Sequence, residues 1–211
     1  MTAPATANGV SGHPSSLTGV KSSRRRWAKS DATQLRILDA AAAVFHEHGY
    51  AAATIGDVVT AAGASIGSIY HHFGGKSELF LAIHERLSAA VGQRITDSGH
   101  IATGTSFRET FDAQARGYLE AIWANRHIAV ILSTDDVPPG YERIRRDSMQ
   151  AWFRDWLSEL DVGSSAAGAL LIRVLIAVLT ESAAQVMVCD DVDAADAVMD
   201  AAIAHLNRLL G

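Results

Sequence analysis

The sequence predicts an all-α fold, and three observations lead to that prediction. Alanine is abundant while runs of β-branched residues are scarce, which favours helices over strands. Only four of the 211 residues are proline, and three of them are Pro4, Pro14 and Pro138, so few positions interrupt a helix. Apolar residues recur at helical spacing in successive segments. With 48% hydrophobic residues, a chain of this length can bury one or two cores.

Residues 1–29 are predicted to form a disordered basic N-terminal arm. Residues 1–20 are mainly Thr, Ala, Ser, Gly and Pro without periodicity, so they cannot bury enough apolar surface to offset the entropy of ordering. They also lack the apolar stretch of a signal peptide, and we therefore expect a cytoplasmic protein. Five basic residues then surround Trp27, namely Lys21, Arg24, Arg25, Arg26 and Lys29.

A first helix is predicted between Asp31 and Gly49. The Asp31 side chain can cap its start, and Gly49 can end it in the left-handed conformation of a C-cap glycine. Leu38, Ala41 and Phe45 lie at helical spacing between these two signals. This helix opens the domain that we predict over residues 30–76.

Two short helices follow, joined by a turn that contains glycine. Thr54 and Asp57 fit a capping box at the start of the first of them. The turn is predicted around Gly63, and Ser65 can cap a second helix that continues to about His72. Two short helices joined in this way, the second beginning with small polar residues, are typical of a helix-turn-helix that reads DNA.

The motif offers residues for both parts of DNA recognition. Small residues at the start of its second helix, Ser65, Gly67 and Ser68, would let the backbone approach the floor of the major groove. Other side chains can reach phosphates at the rim or beside the motif: Tyr70, His71, Lys76 and the arm residues Arg24, Arg25 and Arg26. For the arm, an ordinary solvated run of charge is the alternative.

Residues 77–211 are predicted to form a second helical domain. A helix that starts at Lys76 should run to between residues 93 and 97, and two more helices should lie on either side of a turn at residues 137–140. The last two helices are predicted over 164–188 and 193–210. The first of these is apolar on more than one face, but Arg173, Glu181 and Gln185 interrupt it, so no membrane span is expected.

Aromatic residues of the second domain are candidates for the wall of a ligand pocket, because such sites are mostly apolar with a few polar groups. They are Phe107, Phe111, Tyr118, Trp123, Trp152, Phe153 and Trp156. The alternative is that they form plain core. Asp135 and Asp136 precede the double-proline turn and are expected to be solvated, with contact to a cationic ligand as the alternative.

Charge is distributed unevenly along the chain, whose net charge is −5. Up to Ile95 there are nine Lys and Arg against six Asp and Glu, whereas the remainder has nine against seventeen. A basic half beside an acidic half is expected when one end approaches phosphate. Cys189 is the only cysteine and suits a reducing compartment, and the histidine pairs lack metal-ligand spacing, so we expect no metal or other cofactor.

Part of this chain closely resembles the DNA-binding signature of the TetR family. The resemblance covers residues 31–82 and is strongest in Ala53-Thr54-Ile55 and in the run Ala61-Ala62-Gly63-Ala64-Ser65-Ile66-Gly67-Ser68-Ile69-Tyr70-His71-His72-Phe73-Gly74-Gly75-Lys76-Ser77-Glu78-Leu79-Phe80. It implies that Thr54 contacts the DNA backbone and that residues 65–68 face the bases. Two residues depart from the family pattern: Ile66 stands where many members have a basic residue, and Gly75 replaces a serine-like cap.

The resemblance also implies a function. It implies a homodimer, paired through the last two helices, that represses transcription from a near-palindromic double-stranded DNA site. A small-molecule effector, here expected to be apolar or aromatic, would release the DNA. An activator, or a regulator controlled by a protein partner, is the alternative. No nucleophile elbow, phosphate-binding loop or zinc motif is visible, so an enzyme is not expected.

Overall fold

The all-α prediction is confirmed for the part of the chain that the computed structural model describes. This part comprises residues 17–101, 106–157 and 165–211, with side chains described from residue 31 except at 101, 151, 152 and 154–157. Its helices are α1 (Leu17–Ala52), α2 (Ile55–Ala62), α3 (Ile66–His72), α4 (Lys76–Ile101), α5 (Phe107–Ala124), α6 (Arg126–Leu132), α7 (Tyr141–Leu157), α8 (Ala166–Met187) and α9 (Val192–Leu210). Residues 1–36 and 37–211 are separate compact units, and the second contains the helix-turn-helix and the cavity described below.

Helix α1 begins further upstream than the sequence predicts. Its backbone is helical from Leu17, so the predicted disorder is wrong for residues 17–29. Asp31 lies inside this helix and does not cap its start. The reason is that Lys, Arg and Ala propagate a helix well, and only Gly19 disfavours it between Leu17 and Asp31. Residues 1–16 lie outside the described part of the chain.

The first regular stretch of α1 is interrupted at Gly49, where the sequence predicts the end of the helix, but not in the predicted left-handed conformation of a C-cap. Gly49 has φ 77° and ψ 162°, which interrupts the regular helix there, although one further helical turn follows to Ala52. The amide of Ala53 donates to the carbonyl of Gly49 at 3.2 Å and closes that turn. Gly49 therefore redirects the chain from the first helix into the helix-turn-helix.

The remaining helices follow the predicted order with one addition. Helix α6 has only seven residues, too few for a periodic pattern to identify, and the sequence had left this segment without an assignment. Helix α4 extends to Ile101, beyond the predicted end at residues 93–97. Gly117 of α5 lies so close to α4 that an added Cβ would contact Ser98 Oγ and the Arg94 carbonyl, so glycine permits tight packing of these two helices.

One contiguous core joins the described helices of residues 37–211. It extends from Ile37 and Phe45 of α1 through Phe80 of α4 and Leu119 of α5 to Leu206 of α9, all nearly inaccessible to solvent. Helix α8 is long and apolar enough to cross a membrane by length and composition alone, a property that core helices share. Only 28% of the most apolar 18-residue stretch of this helix is buried.

Candidate functional site

The helix-turn-helix is built by local signals in its sequence. Asp57 accepts from the Thr54 amide at 2.8 Å and donates its own amide to Thr54 Oγ1 at 3.2 Å, which completes the predicted capping box of α2. The Thr54 hydroxyl also donates to the Asp57 carboxylate at 2.7 Å, and this bond and the one from the Thr54 amide lower the pKa of that carboxyl. At the other end of α2, Gly63 adopts φ 56° and ψ 36°, the left-handed conformation that the turn requires. Ser65 Oγ then accepts from the Ser68 amide at 3.1 Å and starts α3.

Helix α3 presents one face to solvent and buries the other. Ile69 is inaccessible, whereas Ile66 and Tyr70, one turn apart, are 57% and 53% exposed. Ser65 and Gly67 are also exposed, as is His71, while Ser68 is half-buried. Large side chains such as Ile66 and Tyr70 projecting from a short helix form a surface suited to contact with another molecule.

Lys76 lies at the first turn of α4, directly after the motif. Its Nζ donates to the Ala51 carbonyl at 3.0 Å and lies 4.5 Å from the centroid of the Tyr50 ring. Tyr50 Oη in turn hydrogen-bonds Ser77 Oγ at 2.9 Å. Lys76 is half-buried, and its ammonium group holds the end of α1 against the start of α4. Thr54 is exposed and follows the end of α1 by two residues. The side chains of the arm residues Arg24, Arg25 and Arg26 are outside the described part of the chain.

A cavity of about 320 Å³ lies in the second domain, bordered by helices α4 to α8. Its size is at the lower end of the range of small-molecule sites. Its walls are mostly apolar, formed by Leu87, Ile122, Ala129, Leu132, Met149, Ala183, Ala184 and Met187. The polar lining residues are His84, Ser88, Tyr118, Ser133, Tyr141, Arg145, Ser148 and Thr180.

A hydrogen-bonded cluster around His84 forms one wall of this cavity. His84 Nδ1 lies 3.0 Å from Tyr141 Oη, and its Nε2 lies 3.2 Å from Ser148 Oγ and 3.4 Å from Ser88 Oγ. Burial lowers the pKa of His84 against an opposing effect of Glu85, so the neutral imidazole is favoured. Burial also raises the pKa of the Tyr141 phenol. The cluster is therefore uncharged at neutral pH and joins α4 to α7.

Of the aromatic residues predicted to line a pocket, Tyr118 is the one described residue in this cavity wall. Phe111 and Phe153 are each 1% exposed and lie in the core, so the plain-core alternative describes them. Phe107 is 41% exposed and stacks on Phe111. Trp123 is half-buried, with the Arg126 guanidinium 3.9 Å from its ring centroid. The side chains of Trp152 and Trp156 lie outside those described.

The sequence analysis missed most of the cavity wall. His84 and Ser88 are one helical turn apart on α4, and Tyr141, Arg145 and Ser148 are similarly spaced on α7. Polar residues repeated at helical spacing within an apolar helix face are the signal that could have identified them. Among the described residues, no cluster of His, Cys, Asp or Glu is arranged to hold a metal ion.

The cavity wall also contacts the junction between α1 and the helix-turn-helix. The ring of Tyr141 packs edge-on against Phe80 at 5.0 Å, and Phe80 packs against Tyr50 at 5.3 Å. In the loop before Tyr141, Asp136 accepts from the Ala51 amide with both carboxylate oxygens, at 3.0 and 3.1 Å. Asp135 and Asp136 are exposed, as the sequence predicts, and Asp136 in addition bonds the backbone of Ala51.

The described part of the chain is all-helical and carries an exposed helix-turn-helix, a motif that binds DNA by placing its second helix in the major groove. Residues 37–83 match the family model of the bacterial regulatory proteins of the tetR family. The transcriptional repressor AcnR of Corynebacterium efficiens is 41% identical over 63 residues, which are 30% of this chain and 34% of that protein. The repressor KstR2 of Rhodococcus jostii is 34% identical over 125 residues, 59% of this chain and 55% of that protein.

Solved structures support the same assignment at the level of the fold. A transcriptional regulator from Aquifex aeolicus has a TM-score of 0.64 at 17% identity, over 84% of this chain and 99% of that one. SmeT in complex with triclosan has a TM-score of 0.58 at 23% identity, over 81% and 91% of the two chains. Residues 37–83 therefore form a tetR-family DNA-binding domain, and the relatives that the chain matches are named as transcription regulators. The chain spans about a third of the length of the AcnR repressors that it matches.

Proposed function

We propose that this protein is a homodimeric transcription repressor that leaves its DNA site when a small molecule occupies the α4–α8 cavity. The observation that carries the DNA-binding part is the exposed face of α3, where Ile66 and Tyr70 project beside the small residues Ser65 and Gly67. In a helix-turn-helix, this second helix enters the major groove and its first residues contact base edges. DNA as the partner places the protein in the cytoplasm.

The phosphate contacts of this protein must come largely from outside the helix-turn-helix. Residues 37–75 contain no Lys or Arg, so the nearest cations are Lys76, Arg36 and the five basic residues of the arm. Each phosphate neutralised contributes about −0.9 to the slope of log K against log salt concentration. We therefore propose that Arg24, Arg25 and Arg26 supply much of the non-specific affinity, together with Lys76 once its contact with Ala51 is exchanged for a phosphate.

Contacts within the motif are proposed to be of two kinds: clamps, which hold phosphates, and readers, which contact the bases. Tyr70, His71 and Thr54 would hold phosphates, and residues 65–68 would face the bases. Ile66 offers an apolar side chain that fits against a thymine methyl group. Tyr70→Ala should weaken binding to all sequences about equally, whereas Ser68→Ala should change the preferred sequence, as measured by fluorescence anisotropy on a set of operator variants. The reverse pattern would show that clamp and reader are exchanged.

The dimer is proposed to form through α8 and α9. These helices expose large apolar side chains on the single chain: Leu170 is 63% exposed, Val188 71%, Val192 54% and Leu209 40%. A symmetric pairing would bury this surface and set two recognition helices for two half-sites about one helical turn apart or somewhat more. Leu170→Glu should convert the dimer to a monomer in sedimentation equilibrium, while Ile144→Glu, an exposed residue of α7, should not. A monomeric wild-type chain would contradict the proposal.

Coupling between the cavity and the DNA-binding helices is proposed to pass through Tyr141 and Asp136. A ligand that moves the wall at Tyr141 displaces its neighbour Phe80 and the loop that holds the Ala51 amide. Release then requires that the ligand bind more tightly to the arrangement that does not fit DNA. The cavity itself favours control by a small molecule, because a regulator controlled by a protein partner has no need of one.

The experiment that tests this function is selection of genomic DNA fragments by the purified protein at near-physiological salt. We expect a near-palindromic site that one dimer binds, and titration of that site should give an affinity at least a thousandfold above that for unrelated DNA. Transcription in vitro from a promoter carrying the site should then fall as protein is added. Sequence-indifferent binding, or a rise in transcription, would contradict a repressor.

A further inference from the structure

The cavity has an unequal supply of hydrogen-bond donors and acceptors. Tyr118 is 4% exposed and lines the cavity, yet its hydroxyl has no hydrogen-bond partner among the described residues. Burial raises the pKa of this phenol, so the hydroxyl keeps its proton and can donate it. A ligand acceptor in the cavity can receive this hydrogen bond.

Arg145 supplies the positive charge of the cavity wall. Its guanidinium donates one hydrogen bond, at 2.7 Å, to Glu142 on the preceding turn of α7. Its other N–H groups have no acceptor among the residues whose side chains are described. A guanidinium carries five N–H donors and no acceptor, so several remain for a ligand.

No carboxylate balances Arg145 within the cavity wall, since the described lining contains neither Asp nor Glu. Glu85 lines only an adjoining groove of about 300 Å³, which shares His84, Ser88 and Ser148 with the cavity. Because Glu85 is exposed, water screens its charge. Glu142 pairs with Arg145 from outside the cavity wall, so the wall itself offers an anionic ligand the remaining N–H donors of Arg145 and the hydroxyl of Tyr118, and offers a cationic ligand no carboxylate.

Several donors of the wall are already engaged with the protein. Both nitrogens of His84 are engaged by Tyr141, Ser148 and Ser88. The hydroxyl protons of Thr180 and Ser133 are donated to the carbonyls of Ile176 and Ala129, at 3.0 and 2.8 Å. These protons are not available to a ligand, whereas those of the Tyr118 hydroxyl and of the remaining Arg145 N–H groups are.

We propose that the cavity binds a compact apolar molecule that ends in an anionic, acceptor-rich head such as a carboxylate, recognised by Tyr118 and Arg145. The aliphatic walls hold the apolar body, and the two donors select the head by charge-assisted hydrogen bonds. This ligand class deepens the proposed function and rests on it for its regulatory meaning, but the binding preference is a property of the cavity alone.

The test uses three molecules that share one body: 4-phenylbutyrate, 4-phenyl-1-butanol and 4-phenylbutylamine. Isothermal titration of the full chain should give a Kd for the carboxylate at least tenfold below that of the alcohol, with the amine weakest. Tyr118→Phe and Arg145→Gln should each weaken carboxylate binding five- to tenfold, and Arg145→Gln should leave the alcohol within threefold. The matched control Arg146→Gln, at an exposed residue of α7 that does not line the cavity, should stay within twofold of wild type.

Three outcomes would overturn the ligand class: the amine binds as tightly as the carboxylate, the preference survives Arg145→Gln, or none of the three molecules binds. Anisotropy of the selected DNA site, recorded with each molecule, separates this inference from the proposed function. A carboxylate that binds with the stated preference but leaves DNA bound supports the ligand class and contradicts release. DNA that is released by the amine and not by the carboxylate supports release and contradicts the ligand class.

Discussion

Replacing Gly49 by alanine should be among the most destabilising small substitutions in this chain. With φ 77° and ψ 162°, Gly49 occupies a region of backbone space that is essentially restricted to glycine, and other residues there cost roughly 1–3 kcal/mol. The new Cβ would also lie 2.5 Å from Asp136 Oδ2, which is too close for a non-bonded pair. Asp136 would have to move, and its hydrogen bond to the Ala51 amide, worth about 0.5–1.5 kcal/mol, would be weakened.

The two contributions together predict that Gly49→Ala lowers the free energy of unfolding by about 2–4 kcal/mol. Urea denaturation followed by circular dichroism at 222 nm, at one fixed protein concentration, measures this value. In an Asp136→Ala background the steric contact is absent, so the same substitution should cost only the backbone strain, about 1–3 kcal/mol. The difference between the two costs isolates the contact between residues 49 and 136.

Gly92→Ala is the matched control. Gly92 lies inside α4, and an added Cβ there would contact nothing within 4 Å, so alanine should stabilise the protein by about 0.5–1 kcal/mol through its better helix propensity. The same chemical change should therefore have opposite signs at the two positions. A Gly49→Ala variant within 0.5 kcal/mol of wild type would refute the argument from backbone conformation.

Three further predictions concern packing, pH and salt. Gly117→Ala should cost about 1–3 kcal/mol in urea denaturation, since its Cβ would contact Ser98 and the α4 backbone; an unchanged midpoint would show that α4 and α5 separate easily. The pKa of His84 is lowered in the folded state, so the unfolded chain takes up the proton first and stability should fall as pH drops below about 6.5. His84→Gln should lose less stability than wild type between pH 7.5 and pH 5.5, and an equal loss would assign the effect to other groups. Deleting residues 1–29 should reduce the slope of log K for DNA binding against log salt concentration by up to about 4 in magnitude per chain. An unchanged slope would show that the arm does not contact the DNA.

Signals that act within a few residues could be read from the sequence. The capping box of Thr54 and Asp57, the turn at Gly63 and the cap at Ser65 each depend on groups no more than three residues apart, and each was confirmed. The start of α1 was placed wrongly, because a capping residue such as Asp31 marks a possible start and does not prevent a helix from extending past it.

The cavity could not be predicted in the same way, because its wall is assembled from five helices that are distant in sequence. His84 and Tyr141 are 57 residues apart, and only the packing of α4 against α7 brings them within 3.0 Å. Large aromatic residues were a poor guide, since Phe111 and Phe153 are the side chains that a core buries most completely. Polar residues at helical spacing on an otherwise apolar face carry more information about a ligand site.

Asp136 shows how the two regions meet. Its carboxylate bonds the Ala51 amide 85 residues away, while five residues later Tyr141 lines the cavity and contacts Phe80. A shift of this loop therefore reaches the helix-turn-helix by two contacts at once, one polar and one aromatic. Each contact is worth on the order of 1 kcal/mol. The two together therefore match a typical coupling free energy between two binding sites, with which one ligand changes the affinity for another five- to a hundredfold. In the proposed function, a ligand that broke both contacts would free Ala51 before the helix-turn-helix and Phe80 after it, so the motif would be released at both of its ends.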